Sequence, residues 1–369
     1  MMAAGSLLVI RLSALGDVLF AMPAVHALHR ARPDLALDWV VEERAAALLE
    51  LVPFLRRRIV WRRGEQARLA RRPWSWPKAA VALLRHVAAL RAERYDAVLD
   101  LQGNLKSGTH AFLARSARKL GLGLGHAREG GWLAANERVE PPADALHRVE
   151  QSLAVVRAFA PEVPGIASAP TLTVPAPAGE WAAQELAAAG IGAQPFVVLH
   201  PGTSAFGAFK RWRPDRFGQL ADVVQQKAGL PALVTWGPGE EALARQVVAS
   251  SKRGGARLAP RTRSLVELAA LLQRAAAVVA SDSLALHLAA FLGTPVVGLY
   301  GPKDPRLYGP RFGPARVVRT WLPCSPCTRR TCPDVLCMEE ISVRQVYEAL
   351  AGLLRGEAAP AAATAAAVC

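Results

Sequence analysis

The chain has 369 residues, of which 52% are hydrophobic and 20% are charged, a composition that excludes an intrinsically disordered protein. At about 150 residues per domain, the length predicts two domains. The formal net charge of +15 favours an acidic partner, which could be nucleic acid, an anionic membrane surface or a phosphorylated substrate.

The first part of the chain alternates short apolar runs with longer amphipathic ones. Buried strands are predicted at 7–12, 35–41 and 95–101, and a helix at 18–30 follows the first strand. Residues 6–25 are apolar enough to suggest a signal peptide, but Arg11 and Asp17 interrupt the run and no basic segment precedes it. A strand followed by a helix therefore fits this region better.

Residues 56–94 combine many arginines with Trp61, Trp74 and Trp76 and contain only two acidic residues, Glu65 and Glu93. One interpretation is a solvated basic face, which is the usual reading of a charge run. The tryptophans favour instead a surface that meets phosphates at a membrane, since this side chain prefers the headgroup region. Stacking of bases on a single-stranded nucleic acid would use the same side chains.

A proline-rich connector at 171–179 precedes a second alternation of strands and helices. The strands are predicted at 196–202, 231–237, 276–282 and 295–301, with helices at 214–227, 239–250, 265–274 and 284–292. Two doubly wound α/β domains facing a central cleft follow from this pattern, one at 1–172 and one at 180–355. The alanine-rich segment 356–369 is expected to be a disordered tail.

No segment is typical of a membrane-spanning helix. The charge-free stretch 283–302 is interrupted by His287, Gly293, Pro295 and Gly301. Four of the five cysteines are crowded into 324–337, which is not the pattern of a secreted disulfide framework. A soluble, cytoplasmic protein is therefore expected.

Three loops at predicted strand ends carry residues suited to chemistry. The first, 13–17, contains Gly16, which would permit a tight turn, and Asp17, which is either a helix N-cap or a base that removes a proton from a hydroxyl. The second, 200–212, is either a plain polar loop or a site where a diphosphate approaches the backbone and Lys210 neutralises its charge. The third, 281–287, joins a strand to a helix, whose exposed N–H groups offer an anion site, and its Asp282 could accept hydrogen bonds from sugar hydroxyls. His287, in the third loop, lies on a predicted helix face. A histidine in such a position is more often a core residue with its hydrogen bonds satisfied than a residue that binds a ligand.

Gly121, Gly123 and Gly125 resemble a dinucleotide-binding fingerprint, but their spacing is wrong and the run before them, 111–120, looks helical. A fingerprint of this kind needs a strand immediately before the glycines. NAD binding is therefore not expected.

Taken together, these segments resemble the lipopolysaccharide heptosyltransferases of glycosyltransferase family 9, and heptosyltransferase I most. The resemblance rests on LSALGDVLFAMPAVHAL (12–28), DWVVEE (38–43), YDAVLDLQGNLKSG (95–108), AREG (127–130), HPGTS with KRW (200–212), WGPGEE (236–241), SDSLALHLAAFLGTPVVGLYGPKDP (281–305) and CSPCTRRTCPDVLCMEEIS (324–342).

The resemblance implies a GT-B architecture with an acceptor-binding N-terminal domain and a nucleotide-sugar-binding C-terminal domain. It implies inverting, metal-independent transfer of heptose from ADP-heptose to the Kdo of a lipid A-linked, acidic acceptor, with no cofactor. The absence of a D-x-D sequence agrees with metal independence. The enzyme would work at the cytoplasmic surface of the inner membrane, as a peripheral protein, and no nucleic acid is expected as a partner.

The resemblance also assigns roles to individual residues. Asp17 matches the general base. Acceptor-binding positions are matched by Ser13, Gly16, Lys106 and Arg128. Donor-binding positions are matched by Thr203, Ser204, Lys210, Glu240, Asp282, Ser283 and His287, with Glu240 at the ribose. One departure is Leu284, where the family commonly has glycine, and it leaves open a different donor or a rearranged loop.

The cysteines at 324, 327, 332 and 337 have spacings that could hold a structural, non-catalytic zinc ion. Reduced thiols or an occasional disulfide are the alternative.

Two alternatives to the main function also stay open. One is a family 9 enzyme with another donor sugar or with a heptose acceptor, as in heptosyltransferase II. The other is a non-catalytic homologue that binds an anionic glycolipid through residues 56–94.

Overall fold

The computed structural model describes residues 5–166, 170, 172–327, 329 and 331–357. The chain divides into two compact units, which meet in sequence between Thr173 and Val174. Each unit is a contiguous segment of the chain, and each is built on its own parallel sheet.

The first unit contains a six-stranded parallel sheet within its described residues. Its strands are β1 (Ser6–Ile10), β2 (Ala36–Glu42), β3 (Arg57–Trp61), β4 (Ala97–Asp100), β5 (Arg118–Leu122) and β6 (Glu137–Val139). Its α-helices are α1 (Leu15–Ala31), α2 (Arg63–Ala70), α3 (Trp76–Arg91), α4 (Leu105–Leu113) and α5 (Arg148–Phe159). Short 3₁₀ helices lie at Glu43–Leu51, Pro73–Ser75 and Gly131–Ala134.

The second unit also contains a six-stranded parallel sheet in the part of the chain that is described. Its strands are β7 (Val197–His200), β8 (Ala232–Val234), β9 (Ala256–Leu258), β10 (Ala277–Ser281), β11 (Val296–Tyr300) and β12 (Ala315–Arg319). Its α-helices are α6 (Ala176–Ala188), α7 (Pro214–Ala228), α8 (Glu241–Ser250), α9 (Leu265–Gln273), α10 (Leu284–Phe291), α11 (Pro305–Tyr308), α12 (Leu336–Glu339) and α13 (Val343–Leu354). A 3₁₀ helix lies at Ala205–Lys210.

Both sheets have the same strand order. The first runs β3-β2-β1-β4-β5-β6, and the second runs β9-β8-β7-β10-β11-β12 when it is read in the same sense. In each sheet the order reverses between the first and the fourth strand of the unit, so β1 lies beside β4 and β7 lies beside β10. Ligands of doubly wound sheets bind outside the carboxyl ends of the strands at this switch point.

The central strands form because their side chains are apolar on both faces, as helices on both sides of a parallel sheet require. All residues of β4, β7, β10 and β11 are buried. Each unit has its own core, in which these strands pack against helices such as α7 and α13 in the second unit. The predicted α/β, doubly wound fold class is confirmed.

The strands that sequence reasoning missed are the edge strands β3, β6, β9 and β12, together with β5 beside an edge. Edge strands contact water and therefore carry polar side chains, as in the Arg57-Arg58 start of β3. The prediction of a helical run at 111–120 was wrong, because α4 ends at Leu113 and β5 begins at Arg118. Gly121 therefore lies in a strand, and only the spacing argument against a dinucleotide fingerprint remains.

The connector predicted at 171–179 is shorter in the structure. Helix α6 begins at Ala176, and its Gly179 carbonyl accepts a hydrogen bond from Arg274 at 3.1 Å. The part of the predicted connector that forms α6 therefore belongs to the second unit. Of the predicted tail, Gly356 and Glu357 are described, and the Glu357 carboxylate forms an ion pair with Arg355 at 2.7 Å; residues 358–369 lie outside the described part of the chain.

Candidate functional site

Asp17 lies in the first turn of α1, directly after the carboxyl end of β1. Its Oδ1 is 3.1 Å from the Arg11 guanidinium, and its Oδ2 accepts a hydrogen bond from the Ala14 backbone N–H at 3.4 Å. The N-cap of the helix is Ala14, so the N-cap interpretation of Asp17 was wrong. The Asp17 side chain is 35% exposed, so a carboxylate fixed by Arg11 remains open to a substrate.

Gly16 does not form the tight turn that the sequence predicted. It is the second residue of α1, and a Cβ built on it would meet no atom within 4 Å. The space beside it is therefore open, and the backbone conformation does not require glycine there. Gly16 stays a predicted acceptor-binding position. The reason would be that it has no side chain to fill the space beside it, and not that its backbone needs glycine.

Lys106 and Ser13 meet at the switch point of the first sheet. The Lys106 ammonium donates to Glu42 Oε1 at 2.8 Å and to Ser13 Oγ at 3.3 Å. Ser13 Oγ also donates to Glu42 Oε1 at 3.4 Å. Sequence reasoning missed Glu42, which is the last residue of β2. The motif that contains it ends in two adjacent glutamates, and the sequence does not tell which of them lies at the site.

The loops that carry these residues are held by Gln102 and Asp100. Gln102 Oε1 accepts from the backbone N–H groups of Leu12 and Ser13 at 2.8 and 3.2 Å. Asp100 accepts from Gln102 N and from Ser107 Oγ at 2.9 and 2.8 Å. Burial raises the pKa of Asp100, although these hydrogen bonds oppose the shift. Neither residue was predicted: Gln102 holds the loop after β1 against the loop after β4, and Asp100 fixes the loop that carries Gln102.

Arg128 lies next to the same loop. Its backbone N–H donates to the Gly103 carbonyl at 2.7 Å, and its residue is exposed. The structure therefore brings the Arg128 backbone to the edge of the sheet where Lys106 lies, without a hydrogen bond between the two side chains among the described contacts.

In the second unit, Glu240 closes a network around the loop after β7. Its Oε1 accepts from the Thr203 backbone N–H at 3.0 Å and from Arg211 at 3.0 Å, and its Oε2 accepts from the Gly237 N–H at 3.1 Å. A Cβ on Gly202 would overlap the Glu240 carboxylate, so a larger residue there would displace the Glu240 side chain from this network. The network brings the predicted residues Thr203 and Glu240 together.

Arg211 was quoted within a motif but not predicted as a site residue. Its Nε donates to Thr203 Oγ1 at 3.1 Å and its Nη2 to the Thr203 carbonyl at 3.2 Å, in addition to Glu240. The signal available in the sequence was its place beside Lys210. A planar guanidinium with several donors suits this bridging position better than an ammonium does.

Lys210, Asp282 and His287 form the second cluster, at the carboxyl end of β10. The Lys210 ammonium donates to Asp282 Oδ2 at 2.7 Å and to the Asp282 carbonyl at 3.0 Å, and His287 Nε2 is 3.1 Å from Asp282 Oδ1. Burial by itself would raise the pKa of Asp282, but the hydrogen bond from His287 and the charge of Lys210 lower it to about 2. Asp282 is therefore a carboxylate at any physiological pH.

Ser283 is the N-cap residue of α10, and Leu284 is the first residue of that helix. The hydroxyl oxygens of Ser283 and Ser281 are buried and have no hydrogen-bond partner among the described residues. They flank Asp282 beside the N-terminus of α10, where backbone N–H groups favour an anion. Ser204, by contrast, is exposed and is the N-cap residue of the 3₁₀ helix Ala205–Lys210.

The basic segment 56–94 does not form one surface. Arg56 and Arg57 are bonded to the fully buried Asp38, with distances from 2.8 to 2.9 Å, and Tyr95 also donates to Asp38 at 2.7 Å. Trp61 is half-buried and has its ring 4.7 Å from that of His110. Arg56 and Arg57 are therefore structural, whereas the exposed tryptophans, Trp74 and Trp76, lie in the turn before α3 and at its first residue, with exposed cations beside them on α2 and α3.

The four clustered cysteines Cys324, Cys327, Cys332 and Cys337 are free thiols. Burial raises the pKa of Cys337, and the other three thiols raise it further. Within the described residues, no three histidine, cysteine, aspartate or glutamate side chains are arranged to hold a metal ion. Both interpretations of the cluster, a structural zinc ion and reduced thiols, therefore stay predictions.

Comparison with known proteins adds to this geometry. Residues 83–336 match the family model for glycosyltransferase family 9 (heptosyltransferase). Lipopolysaccharide heptosyltransferase 1 of Pseudomonas aeruginosa is 32% identical over 88% of this chain and 86% of its own length. The protein of the same name from Escherichia coli K12 is 28% identical over 82% of this chain and 89% of its own length.

Solved structures resemble the chain over nearly its whole length. E. coli heptosyltransferase WaaC with ADP has a TM-score of 0.75 at 23% identity, covering 94% of this chain and 99% of its own. E. coli ADP-heptose LPS heptosyltransferase II has a TM-score of 0.74 at 22% identity, covering 95% and 99%. Both share the GT-B fold, which the likeness therefore shows for this chain. No helix among the described residues has the length and apolar character needed to cross a bilayer.

Proposed function

Because the chain belongs to glycosyltransferase family 9, we propose that it transfers heptose from ADP-L-glycero-D-manno-heptose to a Kdo residue of the lipopolysaccharide inner core. Heptosyltransferase activity in core synthesis follows from the family and its relatives. That the acceptor is a Kdo residue linked to lipid A is part of the proposal, and it is supported by the relatives named lipopolysaccharide heptosyltransferase 1.

The observation that carries the proposal is the position of Asp17. A partly exposed carboxylate at the switch point, held by Arg11 at 3.1 Å, can accept a proton from an acceptor hydroxyl. The Lys106 ammonium could bind an acidic acceptor. It has three protons, and the described contacts use two of them, on Glu42 and Ser13, which leaves one for the acceptor. Arg128 would add a second cation for the same acceptor.

The donor would bind the second unit at the switch point between β7 and β10. Lys210 directs two contacts at Asp282, which leaves one ammonium proton for a diphosphate oxygen. The unpartnered hydroxyl of Ser283 and the N–H groups at the start of α10 offer further donors. Glu240 would take the ribose hydroxyls, with Thr203 and Ser204 beside it and His287 supporting Asp282.

In the reaction, Asp17 takes the proton of the acceptor hydroxyl while its oxygen attacks the anomeric carbon from the face opposite the diphosphate. The bond between that carbon and the diphosphate oxygen breaks, and ADP leaves with the bonding electrons. Lys210 and the α10 N-terminus stabilise the charge that develops on ADP. The proposal needs no metal ion or other cofactor, and a lipid-linked acceptor would make the enzyme peripheral to the cytoplasmic face of the inner membrane.

A second candidate is a related heptosyl step on a heptose acceptor. That relatives named for other heptosyl steps also match supports it, among them E. coli K12 lipopolysaccharide heptosyltransferase 3, which is 26% identical over 78% of this chain. The two candidates share the donor and differ in the acceptor, so they predict turnover with different lipid-linked substrates.

The test is ADP release by the purified chain with ADP-heptose and either Kdo-lipid A or a heptosylated acceptor. We expect release that depends on Kdo-lipid A, and release only with the heptosylated acceptor would favour the second candidate. Replacing Asp17→Asn should lower turnover by about 10²–10⁴-fold, the usual contribution of proton abstraction, while ADP-heptose still binds. Asp215→Asn, at an exposed ion pair in α7, is the matched control, and near-normal turnover of Asp17→Asn would contradict the proposal.

A further inference from the structure

Helix α3 carries apolar side chains on its solvent-facing side as well as on its buried side. Within its 16 residues, only His86 and Leu90 are fully buried. Its exposed residues include Trp76 at 61%, Val81 at 45%, Leu83 at 51% and Leu84 at 66% exposure. A surface helix normally presents polar residues to water, as α13 does with exposed Arg344, Gln345 and Glu348.

The turn before α3 extends the exposed apolar surface. Trp74 is 76% exposed, and the Trp76 indole N–H donates to the Ala70 carbonyl at the end of α2, at 3.0 Å. The polar atom of Trp76 is thus satisfied by backbone, and its ring is left in the solvent. Trp74, Trp76, Val81, Leu83 and Leu84 are called the apolar ridge below.

The charges around the apolar ridge have one sign. Residues 66–92 contain no aspartate or glutamate and carry six cations: Arg68, Arg71, Arg72, Lys78, Arg85 and Arg91. The neighbouring helix α4, which packs against α3, also exposes Leu105 and Phe112, and the Lys119 ammonium is 5.7 Å from the Phe112 ring centroid. Apolar and cationic side chains are therefore interleaved on α3, and Lys119 of β5 places a further cation beside the exposed Phe112 of α4.

We propose that the apolar ridge and these six cations dock the chain on a bilayer that contains anionic lipid, with α3 lying in the headgroup region. Helices of this kind bind by burying apolar side chains below the headgroups while Lys and Arg contact lipid phosphates. Tryptophan prefers this depth. The inference deepens the proposed function, on which it rests for the lipid-linked acceptor that would lie in the same bilayer.

Other occupants fit this surface less well. A second copy of the chain would bring two sets of six cations together, which like-charge repulsion opposes in a symmetric interface. A single-stranded nucleic acid would use the cations and the tryptophan rings, but Val81, Leu83 and Leu84 offer no stacking surface for bases. Aliphatic side chains gain free energy only by leaving water for an apolar phase.

The experiment is flotation of the full-length chain with vesicles of phosphatidylethanolamine and phosphatidylglycerol, compared with vesicles of phosphatidylcholine alone. Replacing Trp76→Ser and Leu84→Ser together should lower partitioning at least about tenfold, since burying one such side chain contributes about that factor. Replacing Lys78→Gln and Arg85→Gln together should lower partitioning on the anionic vesicles by about 30-fold and leave it unchanged on phosphatidylcholine.

Matched controls come from the second unit. Trp321→Ser removes a tryptophan that is 69% exposed, and Arg344→Gln removes an exposed cation of α13; both should partition like the unmodified chain. Unchanged partitioning of the Trp76/Leu84 variant would overturn the inference. So would loss of a dimer, or loss of oligonucleotide binding, in that variant without any effect on vesicle binding.

Turnover separates this inference from the proposed function. A chain that transfers heptose to a lipid-free Kdo acceptor but binds neither kind of vesicle would overturn the docking surface alone. A chain that binds vesicles through the apolar ridge but releases no ADP with any acceptor would overturn the proposed function alone.

Discussion

The carboxylate of Asp282 is expected to stabilise the second unit, and its replacement by Asn measures how much. The group is nearly buried, with a side-chain exposure of 13%, and its pKa is lowered from 3.8 to about 2 against the effect of burial, by His287 and Lys210. At 1.36 kcal/mol for each pH unit, this difference corresponds to about 2 kcal/mol of folding free energy at neutral pH. Asp282→Asn should therefore lower the free energy of unfolding by about that amount at pH 7.

The sign of the pH dependence follows from the direction of the shift. A carboxyl whose pKa is lower in the folded state stabilises that state above its unfolded pKa, and the stabilisation is lost as the pH falls through the folded pKa. Between pH 4 and pH 2, therefore, the advantage of the unmodified chain over Asp282→Asn should shrink. At pH 3 about half of it, roughly 1 kcal/mol, should remain.

The assay is urea denaturation at pH 7 and pH 3, followed by hydrogen exchange of the peptide that contains β10. All residues of β10 are buried, so its amides report on the opening of the second unit alone. Asp215→Asn is the control, because its partner Arg213 is exposed and an exposed ion pair contributes little. A difference between the unmodified chain and Asp282→Asn that is the same at both pH values would refute the assignment of this stability to the carboxylate charge.

Two further predictions use other contacts. Gly202→Ala should weaken ADP-heptose binding at least about tenfold, because the new methyl group displaces Glu240 and breaks hydrogen bonds to a charged acceptor; Gly179→Ala in α6, where a Cβ meets nothing within 4 Å, should leave calorimetric donor binding unchanged. Asp38→Asn should lower the unfolding free energy of the first unit by about 3–5 kcal/mol, since Asp38 is fully buried among Arg56, Arg57 and Tyr95. Thermal denaturation checks it, with Glu137→Gln at an exposed pair as control, and equal effects of the two variants would contradict it.

The sequence predicted the centre of each sheet well and the edges poorly. Strands β1, β4, β7, β10 and β11 are continuous apolar runs, and the structure has each of them within two residues of the predicted bounds. The edge strand β9, Ala-Arg-Leu, has only three residues and an exposed arginine, so no periodicity distinguishes it from a loop. A strand that is buried on both faces is recognisable in the sequence as a run of apolar residues. A short strand that is buried on one face has too few residues to show the alternation of apolar and polar side chains.

At the candidate site, motif resemblance located the residues but not their partners. Lys106 meets Glu42 across 64 positions, and Gln102 meets Leu12 across 90. Such pairs depend on which strands are neighbours in the sheet, and a single sequence does not give that order. The same limit explains why Arg11 was treated only as an interruption of an apolar run, although it holds Asp17.

The contiguity of each unit has a consequence for how this chain can vary. The polypeptide passes from one unit to the other once, between Thr173 and Val174, and no strand of either sheet comes from the other side of that junction. A recombination at this point therefore exchanges a complete sheet with its switch-point loops and breaks no strand pairing. Under the proposed division of labour, sugar donor and lipid acceptor could be inherited separately, so hybrids of two relatives joined here should fold and combine the donor choice of one parent with the acceptor choice of the other.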